Sequence, residues 1–591
     1  VGGMVVNIKE KIIEIFKEKD YPPLYIKQIM EVLDVLHEDR EILEYALDQM
    51  VKEGQLVVTK KGKYATPEKL GFLVGRLQGH GKGFGFLIPD NSEEEDVYIA
   101  AENMEGAMHN DRVLVRLLPN RGGGMRSREG EVVRILERAN KTVVGLFEKD
   151  KHFGFVIPDD SRIAFDIYIP QEEAKGLKSQ YKVVAEITRW PEPRRNPEGR
   201  IIEVLGHKDD AGTDIISIIW QFNLPQEFPE EVKKAARKIA QEVLDEDFVG
   251  RRDLRELKTI TIDGADAKDF DDAVSVELLD NGNYLLGVHI ADVSHYVIQN
   301  SPLDKEALKR GTSIYLVDRV IPMLPEELSN GICSLNPNAD RLTITVFMEI
   351  DNNGKVVDYS IEESVIQSKY RMVYEDVSNI LENNDSELVE KYSDLIDDLK
   401  NMEKLYKILN KRREARGSID FDLDEAKITL DIKGKAIDIM PYERRISNRI
   451  IEEFMLICNE TIAEHIYWQG IPFMYRVHEK ATIEKMLDFN EFIHNFGYHL
   501  KGIGGEIHPK MLQALLKEIE GKREEGIISA IMLRSLQKAR YSHDNLGHFG
   551  LATNYYCHFT APIRRYPDLM IHRIIKDMLH NRMNEKRIKR L

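Results

Sequence analysis

LVGRLQGHGKGFGFLIPDNSEEEDVYIA, residues 73–100, returns in altered form as VVGLFEKDKHFGFVIPDDSRIAFDIYIP, residues 143–170, with F-G-F and I-P-D in matching places. Each copy alternates apolar residues over short runs and breaks them with Gly, Pro and Asp, the pattern of a small five-stranded barrel. Two tandem barrels are therefore expected, over residues 69–138 and 139–207. Phe84 and Phe86 in the first copy, and Phe153 and Phe155 in the second, stand beside Lys82, Lys151 and His152. Aromatics next to cations suit a surface that stacks bases while a charge meets phosphate. A lone F-G-F is more simply read as barrel filling. Its recurrence with a basic neighbour turns the reading outward.

Upstream, the runs IKEKIIEIFKEK, YIKQIMEVLDV and REILEYALDQMVKEG have helical periodicity, with Gly54 as a stop, and QLVVTKKGKYA turns at Lys61-Gly62. This is a winged-helix pattern over 1–68. It suits either a protein-contact module or a nucleic-acid binder. Downstream, 208–247 reads as a connector containing the helical EEVKKAARKIAQEVL. Residues 248–580 form the largest domain, with β-rich YLLGVHIADVSHYV and LTITVFMEI alternating with amphipathic helices. The charged run at 375–415 is expected to be a solvated helical pair without chemistry. Residues 581–591, NRMNEKRIKRL, are a basic end.

The chemistry concentrates in T-I-Asp263-G-A-Asp266-A-K-Asp269-F-Asp271-Asp272-A-V. Two carboxylates about 4 Å apart repel by roughly 4 kcal/mol at an effective dielectric near 20, so such a cluster calls for cations. An EF-hand register fails whether it starts at Asp263 or at Asp269. A metal-free Asx turn accounts for one or two aspartates, not five. Hard oxygen ligands without a Cys or His pair point to Mg²⁺, with Mn²⁺ as the substitute. Ions of that kind bound to carboxylates usually act on phosphates, and a pair of them can stabilise both oxygens of an in-line displacement. Single-strand barrels upstream of such a loop suggest a nuclease acting on extended RNA.

The net charge of −18 argues against a nonspecific polyanion binder over the whole surface but allows local basic channels. Cys333, Cys458 and Cys557 form no C-x-x-C pair, which suits a reducing compartment, and cytoplasm is the expected location. There is no apolar run of membrane-spanning length and no long apolar signal core.

Other residues carry weaker signals. His289, Asp292 and His295 in HIADVSHYV are near the acidic stretch in sequence and could support it through hydrogen bonds. Tyr315 and Phe421 are, on pattern alone, ordinary core aromatics. Arg564 and Arg565 precede a helix beside a proline. They can grip phosphate bidentately or pair with Asp568.

The repeat resembles cold-shock domains, which bind single-stranded RNA. The blocks TIDGADAKDFDDAV, HIADVSHYV, GTSIYLVDRVIPMLPEELSNGICSLNP, RGSIDFD, IIEEFMLICNETIA, YRVHE and HFGLATNYYCHFTAPIRRYPDLMIHR, in this order, resemble the ribonuclease II (RNB-type) family. Within it, the N-terminal winged helix favours the bacterial branch that carries one. The resemblance implies a multidomain α+β chain: a winged helix, two tandem OB-like cold-shock β-barrels and a large mixed α/β RNB catalytic domain. It implies that Asp263, Asp269, Asp271 and Asp272 hold metal, that Asp271 is closest to the chemical step, and that Arg564 steadies the phosphate. Asp266 falls outside that set. Tyr315 and Phe421 match aromatics that clamp bases at the 3′ end, and Glu453 matches a glutamate near the terminal riboses that could read a 2′-OH. The implied activity is processive 3′-to-5′ hydrolysis to 5′-nucleoside monophosphates by a monomer, on single-stranded RNA and on structured RNA with a 3′ overhang. The alternative is a noncatalytic RNA-binding regulator on the same fold. Family members continue into a further RNA-binding barrel, whereas this sequence stops at Leu591, so duplex passage is left open.

Overall fold

The computed structural model describes residues 2–17, 22–35, 39–59, 61–91, 94–119, 128–192, 195–420, 426–500, 502 and 507–591. They fall into two compact units, Val1–Leu224 with Lys433–Lys435, and Pro225–Ile432 with Ala436–Leu591. Among the described residues, no helix is long and apolar enough to cross a membrane.

In the first unit, helices Gly2–Lys17, Ile26–Leu33 and Arg40–Lys52 pack around Ile12, Phe16, Ile29, Leu43, Leu47 and Met50. The last helix ends at Gly54, whose φ of +77° supplies the left-handed stop expected there. The antiparallel ribbon β1 (Val57–Val58) and β2 (Tyr64–Ala65) forms the wing. The first barrel then closes from β3 (Phe72–Gly79), β4 (Gly85–Pro89), β5 (Val97–Ile99), β6 (Arg112–Leu117) and β7 (Glu129–Glu137). The second closes from β8 (Thr142–Lys149), β9 (Gly154–Pro158), β10 (Ile167–Ile169), β11 (Tyr181–Arg189) and β12 (Glu198–His207). A Cβ at Gly75 would meet the Ile88 carbonyl oxygen at 2.1 Å, and one at Gly145 the Ile157 oxygen at 2.2 Å, so the repeat keeps glycine where strands cross.

The barrel interiors hold Leu77, Leu87, Val97 and Ile99 in one copy, and Phe147, Val156, Ile167 and Ile169 in the other. The F-G-F phenylalanines are not among them. Phe84, Phe86 and Tyr98 meet on the outer face with ring centroids 5.7–6.0 Å apart. Phe153, Phe155 and Tyr168 repeat the triad at 5.4–5.9 Å. His80 stacks on Phe84 at 4.3 Å. The two tyrosines and His80 meet the F-G-F rings only through the pairing of barrel strands, which the sequence pattern does not mark.

The second unit is built on a seven-stranded sheet. In chain order its strands are β13 (Arg252–Asp253), β14 (Ile260–Asp263), β15 (Asp272–Leu278) and β16 (Tyr284–Ala291). A separate ribbon of β17 (Ile314–Tyr315) and β18 (Val320–Ile321) intervenes. The sheet resumes with β19 (Asp340–Ile350), β20 (Val356–Gln367) and β21 (Tyr370–Val373), giving the order β13-β20-β19-β16-β15-β14-β21. Central strands β16 and β19 are buried on both faces and read as nearly continuous apolar runs.

On one face, Val274, Val288, Ile290, Ile344 and Val346 pack with helix Ile446–Gln469 through Ile450, Phe454, Ile457 and Cys458. The run expected to be a solvated pair belongs to this core. Leu399, Met402, Leu405, Tyr406 and Leu409 of helix Ile396–Arg416 form a buried stripe at three- and four-residue spacing, a period masked by the many charges between them. A separate cluster joins helices Ile483–His494, Pro509–Ile519 and Glu525–Ser535 through Phe489, Leu512 and Ile528.

Candidate active site

The acidic stretch is the connection between two adjacent strands. Asp263 is the last residue of β14 and Asp272 the first of β15, so strand geometry fixes both ends of the loop. Between them the loop is pinned by side chains that the sequence reading assigned no role. Arg371 on β21 donates through Nη2 to the carbonyls of Gly264 at 3.0 Å and Ala265 at 2.7 Å, and its guanidinium lies 5.3 Å from the Phe270 ring. On the other side, fully buried Ser334 accepts from Phe270 N at 3.0 Å and donates to Lys268 O at 2.8 Å. Leu335 N closes the clamp on Phe270 O. No local periodicity marks such partners, because they come from strands and turns far along the chain.

Asp271 is only 3% exposed and accepts from Ile563 N at 2.8 Å through Oδ1. Its Oδ2 faces Arg564 Nε at 3.4 Å but has no hydrogen-bond partner. Asp263 Oδ2 is likewise buried and unpartnered. Burial raises the Asp271 carboxyl to about 7, with Arg564 and the Ile563 N–H opposing and Asp269 adding repulsion. Burial also raises Asp263 to about 6, opposed mainly by Arg564. Asp272 is pushed well up by burial and then by Asp263 and Asp271. Asp269 accepts from the Tyr315 hydroxyl at 3.2 Å. Asp266 is exposed and outside this group.

Crowded oxygen donors with open lone pairs fit a hard divalent cation, which would offset the burial, and after it the repulsion, that raises these pKa values. Among the described residues, no group of three or more His, Cys, Asp or Glu is already drawn into a ready-made cage.

The arginine turn is held as firmly as the loop. Asp568, fully buried in the first turn of helix Tyr566–Leu579, accepts from Ala561 N at 2.8 Å and pairs with Arg565 Nη2 at 2.7 Å. The two arginines therefore separate. Arg565 takes the ion pair with Asp568, while Arg564 keeps an exposed guanidinium beside Asp271. The strand leading to Tyr315 is fastened to the same turn, since Ser313 N and Thr312 Oγ1 both donate to Arg564 O at 2.9 Å. Loop, arginine and tyrosine thus form one constellation built from three distant segments. Tyr315 is 53% exposed, not a core residue.

The remaining candidates sit elsewhere. Glu453 is 5% exposed and pairs with Arg413 at 2.9 Å; burial raises it to about 7 against that arginine. Phe421 lies outside the described residues. His289 is locked inside the sheet between Ser275 and Thr345, Asp292 pairs with Arg251 at 2.6 Å and Lys576 at 2.8 Å, and His295 meets Asp247 at 2.9 Å. These three support the scaffold and not the carboxylates.

Comparison with known proteins gives matches along most of the chain. The family model for the RNB domain matches residues 251–581, that for a cold shock domain 155–229, and that for a ribonuclease B OB domain 75–135. Ribonuclease R of Thermotoga maritima is 46% identical over 578 residues, covering 96% of this chain and 80% of that protein. Ribonuclease R of Escherichia coli K12 is 38% identical over 571 residues, covering 97% and 70%. The solved structure of Mycoplasma genitalium RNase R with ribose-methylated single-stranded RNA superposes with a TM-score of 0.80 at 29% identity, covering 88% of this chain and 81% of that one.

Proposed function

The chain belongs to the RNB family of ribonucleases, in its ribonuclease R branch, and on that footing we propose that it degrades RNA processively from the 3′ end, releasing 5′-nucleoside monophosphates. The observation that carries this reading is the convergence of Asp263, Asp269, Asp271 and Asp272 at one loop, with the exposed Arg564 guanidinium beside Asp271.

The four aspartates would hold Mg²⁺, or Mn²⁺ in its place. A pair of such ions would supply charge neutralisation at the phosphate and lower the pKa of the attacking water. The protein's own groups do the rest. Arg564, fixed in position by the Ala561–Asp568 turn, offers its free N–H groups to a phosphate oxygen whose charge grows in the transition state. The Ile563 N–H keeps Asp271 Oδ1 occupied, so that Oδ2 is the oxygen left to act. Arg371 and Ser334 hold the loop rigid, which limits the reorganisation needed when substrate arrives. Tyr315 presents its ring beside Asp269 as a stacking face for a base at the 3′ end, and Phe421 is assigned the matching role. Glu453, held by Arg413 through Oε2, has Oε1 left to meet a ribose hydroxyl.

The outer triads of Phe84, Phe86 and Tyr98, and of Phe153, Phe155 and Tyr168, supply sequence-tolerant stacking for single strands. The protein is proposed to act as a monomer.

A 3′-labelled single-stranded RNA incubated with the protein and Mg²⁺ should release labelled mononucleotide from the first time point, and EDTA should stop it. Label appearing first in longer fragments, or cleavage of a circular RNA, would overturn the exonucleolytic reading.

A further inference from the structure

Beyond Arg565 lies a cluster of arginine, tyrosine and histidine side chains outside the acidic loop. Tyr475–Val477 and Arg540–Ser542 form a short antiparallel ribbon in which Arg476 stands opposite Tyr541. The Arg476 guanidinium lies 4.9 Å from the Tyr541 ring centroid. The Tyr541 hydroxyl is 2.7 Å from His558 Nδ1. Tyr556, 5.7 Å from His558, continues the row to His548 at 5.3 Å, and His478 follows 5.2 Å further on.

Two features set this row apart from ordinary packing. The first is charge. Neighbouring arginines are neutralised, Arg540 by Glu479 and Arg565 by Asp568, whereas Arg476 has no carboxylate within ion-pair distance among the described residues. Burial first, and then the basic groups Arg565, Arg476, His548 and Arg564, hold the His558 ring neutral, at about 2. A half-buried arginine without a carboxylate partner, set in a row of otherwise neutral aromatic and imidazole rings, has an anion as its natural complement. The second feature is unspent donors. Arg565 Nε and His478 Nε2 are buried without partners. With His558 neutral, the tautomer whose Nδ1 accepts from the Tyr541 hydroxyl leaves Nε2–H as a donor. Arg564 acts electrostatically on Tyr315, and after burial the charge acting most on the His558 ring is that of Arg565.

We propose that Arg476, Tyr541 and His558 form a subsite for a backbone phosphate of the RNA strand upstream of the scissile bond, with Arg476 supplying the charge and His558 Nε2–H a hydrogen bond. The inference rests on the exoribonuclease reading above. The subsite would fix the register of the incoming strand, so that each advance by one nucleotide brings the next linkage to Arg564.

The test uses the whole protein and 5′-labelled RNA strands carrying a single neutral methylphosphonate at the second, third or fourth linkage from the 3′ end, with release of the first nucleotide followed under single turnover. The parent protein should be slowed about tenfold by the neutral linkage at one of these positions, the size expected for losing a charge-assisted contact. R476Q should be slowed about tenfold on unmodified RNA with no further loss at that same position, and the salt dependence of binding should fall by about 0.7 in log–log slope, one phosphate contact on a single strand. H558Q keeps a donor near the Nε2 position and should stay within about threefold of the parent, whereas H558L should lose more. Losses that simply add, or an unchanged salt slope in an R476Q protein of normal melting temperature, would overturn the subsite. If the parent protein releases no mononucleotide from unmodified RNA, the failure lies with the exoribonuclease reading itself.

Discussion

Asp271→Asn separates chemistry from stability, because the structure predicts opposite signs for the two. In the folded protein, burial lifts this carboxyl from its ordinary 3.8 to about 7. A displacement of that size corresponds to about 4 kcal/mol against the ionised form. For a carboxyl raised on folding, stability falls as pH rises from about 4 to about 7 and is then flat, so at pH 8 without metal the whole cost is present. Asparagine removes the charge and can still accept from Ile563 N through Oδ1. The attraction of Arg564 is already included in that raised value, and the burial of the polar amide takes back part of the gain. The expected gain is about 2–3 kcal/mol, or about 3 °C for a unit of roughly 360 residues. Calorimetric melts in EDTA at pH 8 and pH 4 read it directly: the variant should melt higher than the parent at pH 8, and the difference should shrink towards zero at pH 4. Over the same comparison in Mg²⁺, mononucleotide release should fall by about 10³ or more while RNA binding persists. A variant that melts lower than the parent at pH 8 in EDTA would refute the account of a buried, poorly compensated charge. One that keeps most of its turnover would remove Asp271 from the chemistry.

Arg564→Lys should lower kcat about 10²-fold or more, since a point charge replaces a planar donor fork, yet shift the melting temperature little because the side chain is exposed. Ser334→Ala leaves the buried Phe270 N–H without a partner and should cost about 1–3 kcal/mol in denaturant melts, with a higher Mg²⁺ concentration needed for half-maximal activity. Tyr315→Ala should raise KM for single-stranded RNA about tenfold, the loss of one stacked base, with the fold unchanged in circular dichroism. The pair Phe86→Ala and Phe155→Ala should weaken binding of long RNA about 10–100-fold in filter assays while leaving the barrels folded, because neither ring belongs to a barrel interior.

Several of these residues were visible in the sequence for a physical reason. The F-G-F repeat announced outward aromatics because a strand alternates its faces. Gly85 and Gly154 point inward, where a Cβ would sit 2.9 Å from Gln78 O and 2.3 Å from the Phe147 ring respectively, so the flanking phenylalanines face out. The acidic stretch pointed to a cation because carboxylates in such density repel, and the structure gathers its two ends at adjacent strands. Other readings failed for equally definite reasons. Helix Ile396–Arg416 looked solvated because its buried stripe is diluted by lysines, arginines and acids on the remaining faces. The paired arginines could not be told apart, since only the fold brings Asp568 under one and Asp271 beside the other. His289, a neighbour of the acidic stretch in sequence, lies across the pleat in a Ser275–His289–Thr345 hydrogen-bond row.

Sequence alone determined what is local: strand alternation, helix stops such as Gly54, the barrel repeat, and the concentration of negative charge between two strands. The tertiary structure decided what depends on long-range closure. Arg371 and Ser334 clamp the loop from positions at least 60 residues away in the chain, Ile563 and Arg564 reach Asp271 from nearly 300 residues away, and Arg476 meets Tyr541 through the pairing of two short strands while His558 reaches Tyr541 from a third segment. Hydrogen bonds and charges act over a few ångströms in space whatever the separation along the chain, and a linear pattern carries no record of which distant groups folding will bring within that range.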